Sequence, residues 1–460
     1  MGFLPSLGHE SRGHCAAPFS ETDLERAGAM INRFASCFAA FVMLALTTSA
    51  ALADGVIHDS VEAISDGRGG TNIAFSDNGG VLLANPAGIL NGDGTGLFEV
   101  AGDTLITDLH YSNSINPDTA AHIRPLELPM VSYFQKSDDG QWAWGLGVFA
   151  PAGFSAGWDL NNPVLGNQSY KSFGSLVKFL PGIAYRPIEG LSIGATFGLA
   201  YSYEELESPF FIQQGPAAGA PTLIKLVGDG CTYTWSVGAQ YQLTDTTMLG
   251  AAFTSEDRFS LDGHMDAQVF LPPPLGPAPI GTHYESSAKL AWPATVGIGI
   301  KQDLTPRQRV SLDVVWVDWA DAFNNLGLEL SGSSNPLFTH LLGPAISQSI
   351  PLSWWDSVSV RTGYEWLYTD SSVLRLGYTY NSITIPSSNL TPWIPGILEH
   401  TFAIGWGTKF ENNWRLDLAY QFMFGPQRSE GTSALVGGDF SNSTFNAEVH
   451  WISVALTHTF

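Results

Sequence analysis

Charged residues in this chain are threaded into runs that are otherwise apolar, always on the same phase. In 371–380, Arg375, Gly377 and Thr379 share one phase while Leu374, Leu376, Tyr378 and Tyr380 share the other; in 413–421, Arg415, Asp417, Ala419 and Gln421 oppose Trp414, Leu416, Leu418 and Tyr420. Asp313 lies opposite Leu312 and Trp316, and Arg361 and Glu365 oppose Val358, Val360 and Tyr364. A strand sends successive side chains to opposite faces, so each segment has one greasy face and one charged face. Charges gathered this way either brace a wall as a ladder of ion pairs or meet a ligand, and the spacing leaves both readings open. Covalent chemistry has less support. No nucleophile elbow of the G-x-S-x-G kind, no H-E-x-x-H and no phosphate-binding loop is read in the chain. The eleven histidines are scattered, with no pair at metal-ligand spacing on a predicted helix. A triad assembled across strands, as in a barrel lipid hydrolase, is the enzymatic alternative left.

Strands must position these charges, and the last one says where they lie. Ile452, Val454, Leu456 and Phe460 occupy one phase, broken by His458, while Ser453, Ala455, Thr457 and Thr459 fill the other with small or weakly polar side chains. Lipid outside and a polar lumen inside would select that pattern in a transmembrane β-barrel. Fourteen alternating or β-rich segments can be placed, at 97–111, 125–137, 141–154, 174–187, 190–206, 231–243, 246–262, 284–303, 307–319, 352–368, 371–386, 397–411, 413–426 and 443–460. The even number suits a single-chain bacterial barrel. Tight links at 138–140, 188–190, 244–245, 304–306, 369–370 and 411–412 alternate with long Pro/Gly/Ser/Asn-rich stretches near 112–124, 155–173, 207–230, 263–283, 320–351, 387–396 and 427–442. Short turns at one end and long loops at the other are the barrel pattern. Trp142, Trp292, Trp319, Trp354, Trp355 and Trp366, near strand ends, are expected in interfacial girdles.

The N-terminal region reads as export. From Met30 the chain has Arg33, an apolar run from Phe34 to Leu46, and Ala51-Leu52-Ala53 as a small-x-small cleavage site; this is a secretory signal, well short of the roughly 20 residues a spanning helix needs. Residues 1–29 are read as an upstream extension ahead of the true start, residues 30–53 as the signal, and the mature chain as beginning near Asp54. With 43 acidic against 20 basic residues and a net charge of −23, nucleic acid is excluded as a partner. Cys15 and Cys37 lie in the discarded part, which leaves Cys231 without an intrachain disulfide partner.

Residues 54–95 show no alternation and much glycine, yet Ile64, Ile73, Phe75, Val81, Leu82, Leu83 and Ile89 make them too apolar for a disordered tail. A fourteen-stranded barrel, here 96–460, has a lumen too wide for its own side chains to fill, so this segment is expected to be a hatch inside it. Here the sequence resembles a known family. Gly67-Arg68, Ala74 with Ser76-Asp77-Asn78, and Asn85-Pro86-Ala87-Gly88 are similar to the hatch of the FadL family of outer-membrane transporters for long-chain fatty acids and other hydrophobic compounds. The likeness continues through 142–158, 179–202, 232–255, 290–304, 311–320, 358–366, 373–381 and the closing strand.

The resemblance implies an all-β protein, a fourteen-stranded antiparallel barrel with its hatch in the lumen, working as a monomer without a cofactor in the outer membrane of a Gram-negative bacterium, among lipid and lipopolysaccharide. It implies passive, ligand-gated uptake of fatty acids or hydrocarbons, with release through the wall beside a kinked third strand, where Gly145, Gly147, Pro151 and Gly153 lie. The motif Asn85, Pro86, Ala87 and Gly88 marks the hatch. Phe154, Trp158, Leu160, Val164, Leu165 and Phe173 are the candidates for an apolar ligand groove. Lys178, Arg361 and Arg375 are the cations on offer to a carboxylate head group. The acid excess argues against a purely anionic cargo and leaves neutral hydrocarbons or aromatics open; it could equally be loop charge bridged by divalent cations to lipopolysaccharide. A barrel of structural or adhesive role is the non-transport alternative.

Overall fold

In a computed structural model of the protein, residues 57–123, 125–270, 279–438 and 440–460 are described. The extension, the signal and the cleavage site all lie outside them. Fourteen strands form a closed antiparallel barrel. They are β1 (Gly96–Asn113), β2 (Leu126–Lys136), β3 (Trp142–Asn162), β4 (Gly166–Ile188), β5 (Leu191–Phe211), β6 (Pro221–Thr244), β7 (Thr247–Thr254, continuing as Asp257–Val269), β8 (Ile280–Trp292, continuing as Thr295–Thr305), β9 (Gln308–Val317), β10 (Ser357–Leu367), β11 (Ser372–Asn381), β12 (His400–Lys409), β13 (Trp414–Phe424) and β14 (Thr444–Thr459). Pairing of β1 with β14, in register from Leu97↔Thr459 to Ser112↔Thr444, closes the wall.

Alternation decides which face meets lipid. Ile452, Val454, Leu456 and Phe460 point outward and are exposed, while Ser453, Ala455 and Thr457 are buried inside. Leu374, Leu376, Tyr380, Leu418 and Tyr420 are likewise outside, opposite buried Arg375, Thr379 and Asp417. The tight turns fall at the end that holds Phe460, and Gly190 (φ 81°) and Asn413 (φ 63°) take the left-handed conformation two of them require.

Two expectations need correcting. Most of the stretches read as long loops are strand: 155–173 is the tip of a β3–β4 hairpin with only 163–165 outside it, and β5, β6 and β7 also run well beyond their expected ends. Their Gly, Ser and Asn content reads as loop in isolation, but ladder pairing with neighbours on both sides overrides weak propensity. Between β9 and β10 lie two short helices, α1 (Trp319–Ala322) and α2 (Pro336–Leu342), and a hairpin of Asn325–Ser331 with Ala345–Pro351. Secondly, Trp142, Trp355 and Trp366 are exposed as a girdle needs, but Trp292, Trp319 and Trp354 are buried inside the barrel, packed with Phe323 at ring separations of 4.6–6.3 Å.

Candidate functional site

Residues 57–95 pack inside the wall against inward-facing side chains. Arg68 organises them: its guanidinium binds the Asp77 carboxylate at 2.9 Å, donates to Thr71 O and Asn72 Oδ1, and lies 3.4 Å over the Phe75 ring. The wall answers with its own charges. Asp313 accepts from the backbone N–H groups of Asn72 and Ile73, Gln421 donates to Asp66 O, and Arg361 pairs with Asp59 at 2.9 Å. In the Asn85-Pro86-Ala87-Gly88 motif, Asn85 caps the 3-10 turn Pro86–Leu90 with its oxygen and donates through its amide to Ile73 O, Ala239 O and Ala251 O. The motif thus ties the segment to β6 and β7. Close approach is possible because the wall is bare where they meet. A Cβ added at Gly194, Gly238, Gly250, Gly363, Gly377 or Gly405 would overlap hatch atoms, backbone in nearly every case.

The third strand is irregular in its pairing. Its pairing with β2 runs from Lys136↔Ala143 to Val131↔Val148. Among the described residues it goes no further, although both strands continue outward. Its register with β4 slips between Phe149 and Ala152, and the slip exchanges the two faces. Before it the odd residues point inward, and Phe149 fills the space beside Gly147; after it the even residues Ala152, Phe154, Ala156, Trp158 and Leu160 are inside and buried. The carbonyl of Pro151, released from the ladder, accepts from His58 N at 3.0 Å. Gly145 and Gly153 flank the slip, and Gly145 also gives room to the hatch residue Leu82.

Three cavities stack above the hatch. A chamber of about 960 Å³, lined by Ile57, His58, Pro151, Leu176, Lys178, Trp292 and Arg361 among others, lies directly over it. Above that is an apolar pocket of about 940 Å³, lined by Phe154, Leu226, Leu261, Phe323, Trp354 and Trp393 among others, with Glu204 and Glu205 as its charged residues. A third, of about 960 Å³, sits among Phe210, Ile224, Met265, Tyr284 and Phe338 towards the loop end, and shares Leu206, Leu226 and Ile350 with the second.

The groove candidates divide. Phe154 lines the middle pocket, whereas Trp158 and Leu160 are buried beside it; Trp158 donates to Pro392 O at 2.9 Å. Val164 is exposed and Leu165 half-buried at the hairpin tip, and Phe173, on the odd phase of β4, faces outward beside Tyr203. None of the three lines the pocket: Val164 and Leu165 lie in the turn between the strands, and Phe173 is held outside because a strand commits alternate residues to opposite sides. The candidate cations are all engaged. Lys178 pairs with Asp257 at 2.7 Å, Arg361 with Asp59, and Arg375 with Glu365 and Asp417 at 2.9 and 2.8 Å.

Sequence reasoning missed the loop after β11. Trp393 and Ile394 line the pocket, Leu390 is fully buried, and Trp393 Nε1 donates to Ser208 Oγ at 2.8 Å. Its signal was present: Leu390, Trp393 and Ile394, three large apolar residues within the predicted loop 387–396, mark a buried or binding surface. A second omission concerns Gly153-Phe154-Ser155-Ala156-Gly157, which does spell G-x-S-x-G. A nucleophile elbow needs a sharp strand-to-helix turn; this pentad lies within continuous β3, with Ser155 paired to Phe173 across the ladder.

A family model described as outer membrane protein transport protein (OMPP1/FadL/TodX) matches residues 44–460. The chain belongs to this family. Solved structures similar in fold include a FadL homologue of Pseudomonas aeruginosa, at 17% identity over 88% of this chain and 100% of that one, with a TM-score of 0.72. The P. putida toluene transporter TodX gives 19%, 87%, 99% and 0.73, and the Ralstonia pickettii toluene transporter TbuX 16%, 87%, 99% and 0.67. At these identities the likeness carries the fold. No curated protein matches the chain. Membership makes this FadL-family barrel an outer-membrane protein for transport of hydrophobic compounds.

Proposed function

We propose that this FadL-family barrel takes up a neutral hydrophobic molecule by passive diffusion, through the two apolar pockets into the chamber over the hatch and sideways past β3. The carrying observation is the lining of the middle pocket: aromatic and aliphatic side chains, two glutamates, and neither lysine nor arginine among the described residues. An anionic head group there would meet like charge in surroundings that screen it poorly. The nearest cations on the proposed path, Lys178 and Arg361, already hold carboxylates, and drawing one away would leave a buried charge unpaired, at a cost of about 3 to 5 kcal/mol. Two fold neighbours, TodX and TbuX, are toluene transporters, in keeping with neutral cargo.

The exit follows from the interrupted β2–β3 ladder. Among the described residues no β2–β3 pair lies beyond Val131↔Val148, so a cargo can pass between these strands without breaking a ladder. Uptake and binding of labelled toluene and a labelled long-chain fatty acid, in a strain lacking its own transporter, test the reading. Toluene uptake should rise with wild type. Gly147→Val, whose side chain would collide with the Phe149 ring, should retain binding and lose uptake; Trp158→Ala should weaken binding by opening the wall of the pocket. Uptake of neither cargo above background rejects transport, and uptake of fatty acid alone rejects the neutral cargo.

A further inference from the structure

The middle pocket holds one polar group that the passage of a pure hydrocarbon does not use. Glu204 projects inward from β5, and its neighbours across both ladders are glycines, Gly174 on β4 and Gly228 on β6. With no side chain on either flank, the carboxylate lies against the wall in a niche closed by the Phe154 ring, with Oε2 directly over Gly174. It is also aimed. Trp292 Nε1 donates to Ser202 Oγ at 3.2 Å, and the single hydroxyl proton of Ser202 is shared between Ser175 O at 3.0 Å and Glu204 Oε1 at 3.2 Å. Among the described residues no ion pair reaches Glu204. Glu205, Ser172, Ser286, Asn389 and Thr391 are the other polar residues of the lining, which also holds Leu206, Leu226 and Trp393.

A carboxylate held in apolar surroundings with one weak hydrogen bond is costly, and a ligand that supplies a donor recovers part of that cost. We infer that Glu204 is a specificity-determining acceptor, which selects a hydrophobic cargo bearing a hydrogen-bond donor, such as a phenol, over the same molecule without it, and which turns away carboxylic acids. This inference rests on the neutral-cargo reading of the pocket and narrows it. The donor would sit in the glycine niche while the ring or chain lies against Phe154, Leu226 and Trp393.

The test uses the detergent-solubilised full barrel and three ligands of similar bulk, 4-octylphenol, octylbenzene and decanoic acid, with affinities from calorimetry or tryptophan fluorescence. Wild type should bind octylphenol about tenfold more tightly than octylbenzene, the ratio expected of one well-made hydrogen bond to a buried acceptor, and decanoate most weakly. Glu204→Leu should reverse the first preference by weakening octylphenol and tightening octylbenzene. Glu204→Gln keeps the shape and exchanges one acceptor oxygen for an amide donor, so it should narrow the preference and strengthen decanoate. Retained heat-modifiability on gels shows that each variant is folded; if Glu204→Leu fails to assemble, the Gln variant decides. Equal affinity of wild type for the phenol and the hydrocarbon, or an unchanged ratio in the folded variants, overturns the inference and leaves the neutral-cargo reading standing. Binding of decanoate alone, or of none of the three, overturns both.

Discussion

Replacing Gly405 by alanine should unseat the hatch. The added methyl would lie 2.7 Å from the Cα of Gly67, where carbon atoms settle at about 3.5 Å or more, so the two backbones must part by roughly 0.8 Å. Neither can rotate aside. Gly405 is held in register between Arg375 and Ala419, and Gly67 is flanked by Asp66, whose carbonyl accepts from Gln421 at 3.0 Å, and by Arg68 with its four hydrogen bonds. Overpacking costs about 1 to 3 kcal/mol and a weakened hydrogen bond about 1 kcal/mol more. A total of about 2 to 4 kcal/mol shifts the docked-to-undocked ratio by between thirtyfold and a thousandfold. Gly102→Ala is the control: a Cβ there meets nothing within 4 Å, and its effect should stay within about 0.5 kcal/mol. Channel openings in planar bilayers report undocking. Conductance of Gly405→Ala indistinguishable from that of Gly102→Ala would refute the argument that bare wall is a condition of docking.

Three further outcomes are expected. Removing residues 54–95 should turn a barrel of little conductance into a large channel, whereas Asn85→Ala, which loses one capping oxygen and three amide bonds, should give a smaller rise; equal currents before and after removal would mean that the segment does not close the lumen. Deleting Phe460, whose carbonyl accepts from Thr95 and Gly96 and whose ring stacks on Tyr133 at 5.7 Å, should lower the yield of heat-modifiable barrel, and undiminished yield would count against its role in closure. Burial beside Trp451 pushes His58 down to about 3 from an ordinary 6.5, so the docked imidazole stays neutral while the displaced one gains a proton as pH falls below 6.5, weakening docking by about 1.4 kcal/mol per unit. Wild type should therefore open more readily at pH 5 than at pH 7, with a steeper dependence than His58→Phe; equal slopes would dismiss His58 as the source.

Strand count, facing and the plug were legible because each rests on a short-range rule. Alternation alone put Arg375 and Asp417 inside and Leu376 and Leu418 outside, and an apolar, glycine-rich segment ahead of a wide barrel had one place to go. The pocket was less legible, since its walls are assembled from β3 to β8 and two loops. Trp292, Trp319 and Trp354 looked like girdle residues because a tryptophan at a strand end suits either side of a wall, and only pairing decides which. Phe173 failed for the opposite reason: read as loop it was free to face a ligand, and as strand it could not. The slip between Phe149 and Ala152 has no local signature beyond Pro151, yet it alone turns Phe154 and Trp158 inward.

The glycines that receive the hatch come from β5, β6, β7, β10, β11 and β12, and this sets an order of events. No two or three of these strands present the whole seat; it exists once their ladders are aligned around the circumference. The segment that precedes every strand in the chain is therefore the last to find its place. Because it binds the finished wall and not its fragments, its docking energy is added to the closed barrel, and the short tether to β1 keeps its local concentration high. A protein built this way proofreads its own circumference: a wall with one strand out of register keeps its plug unseated.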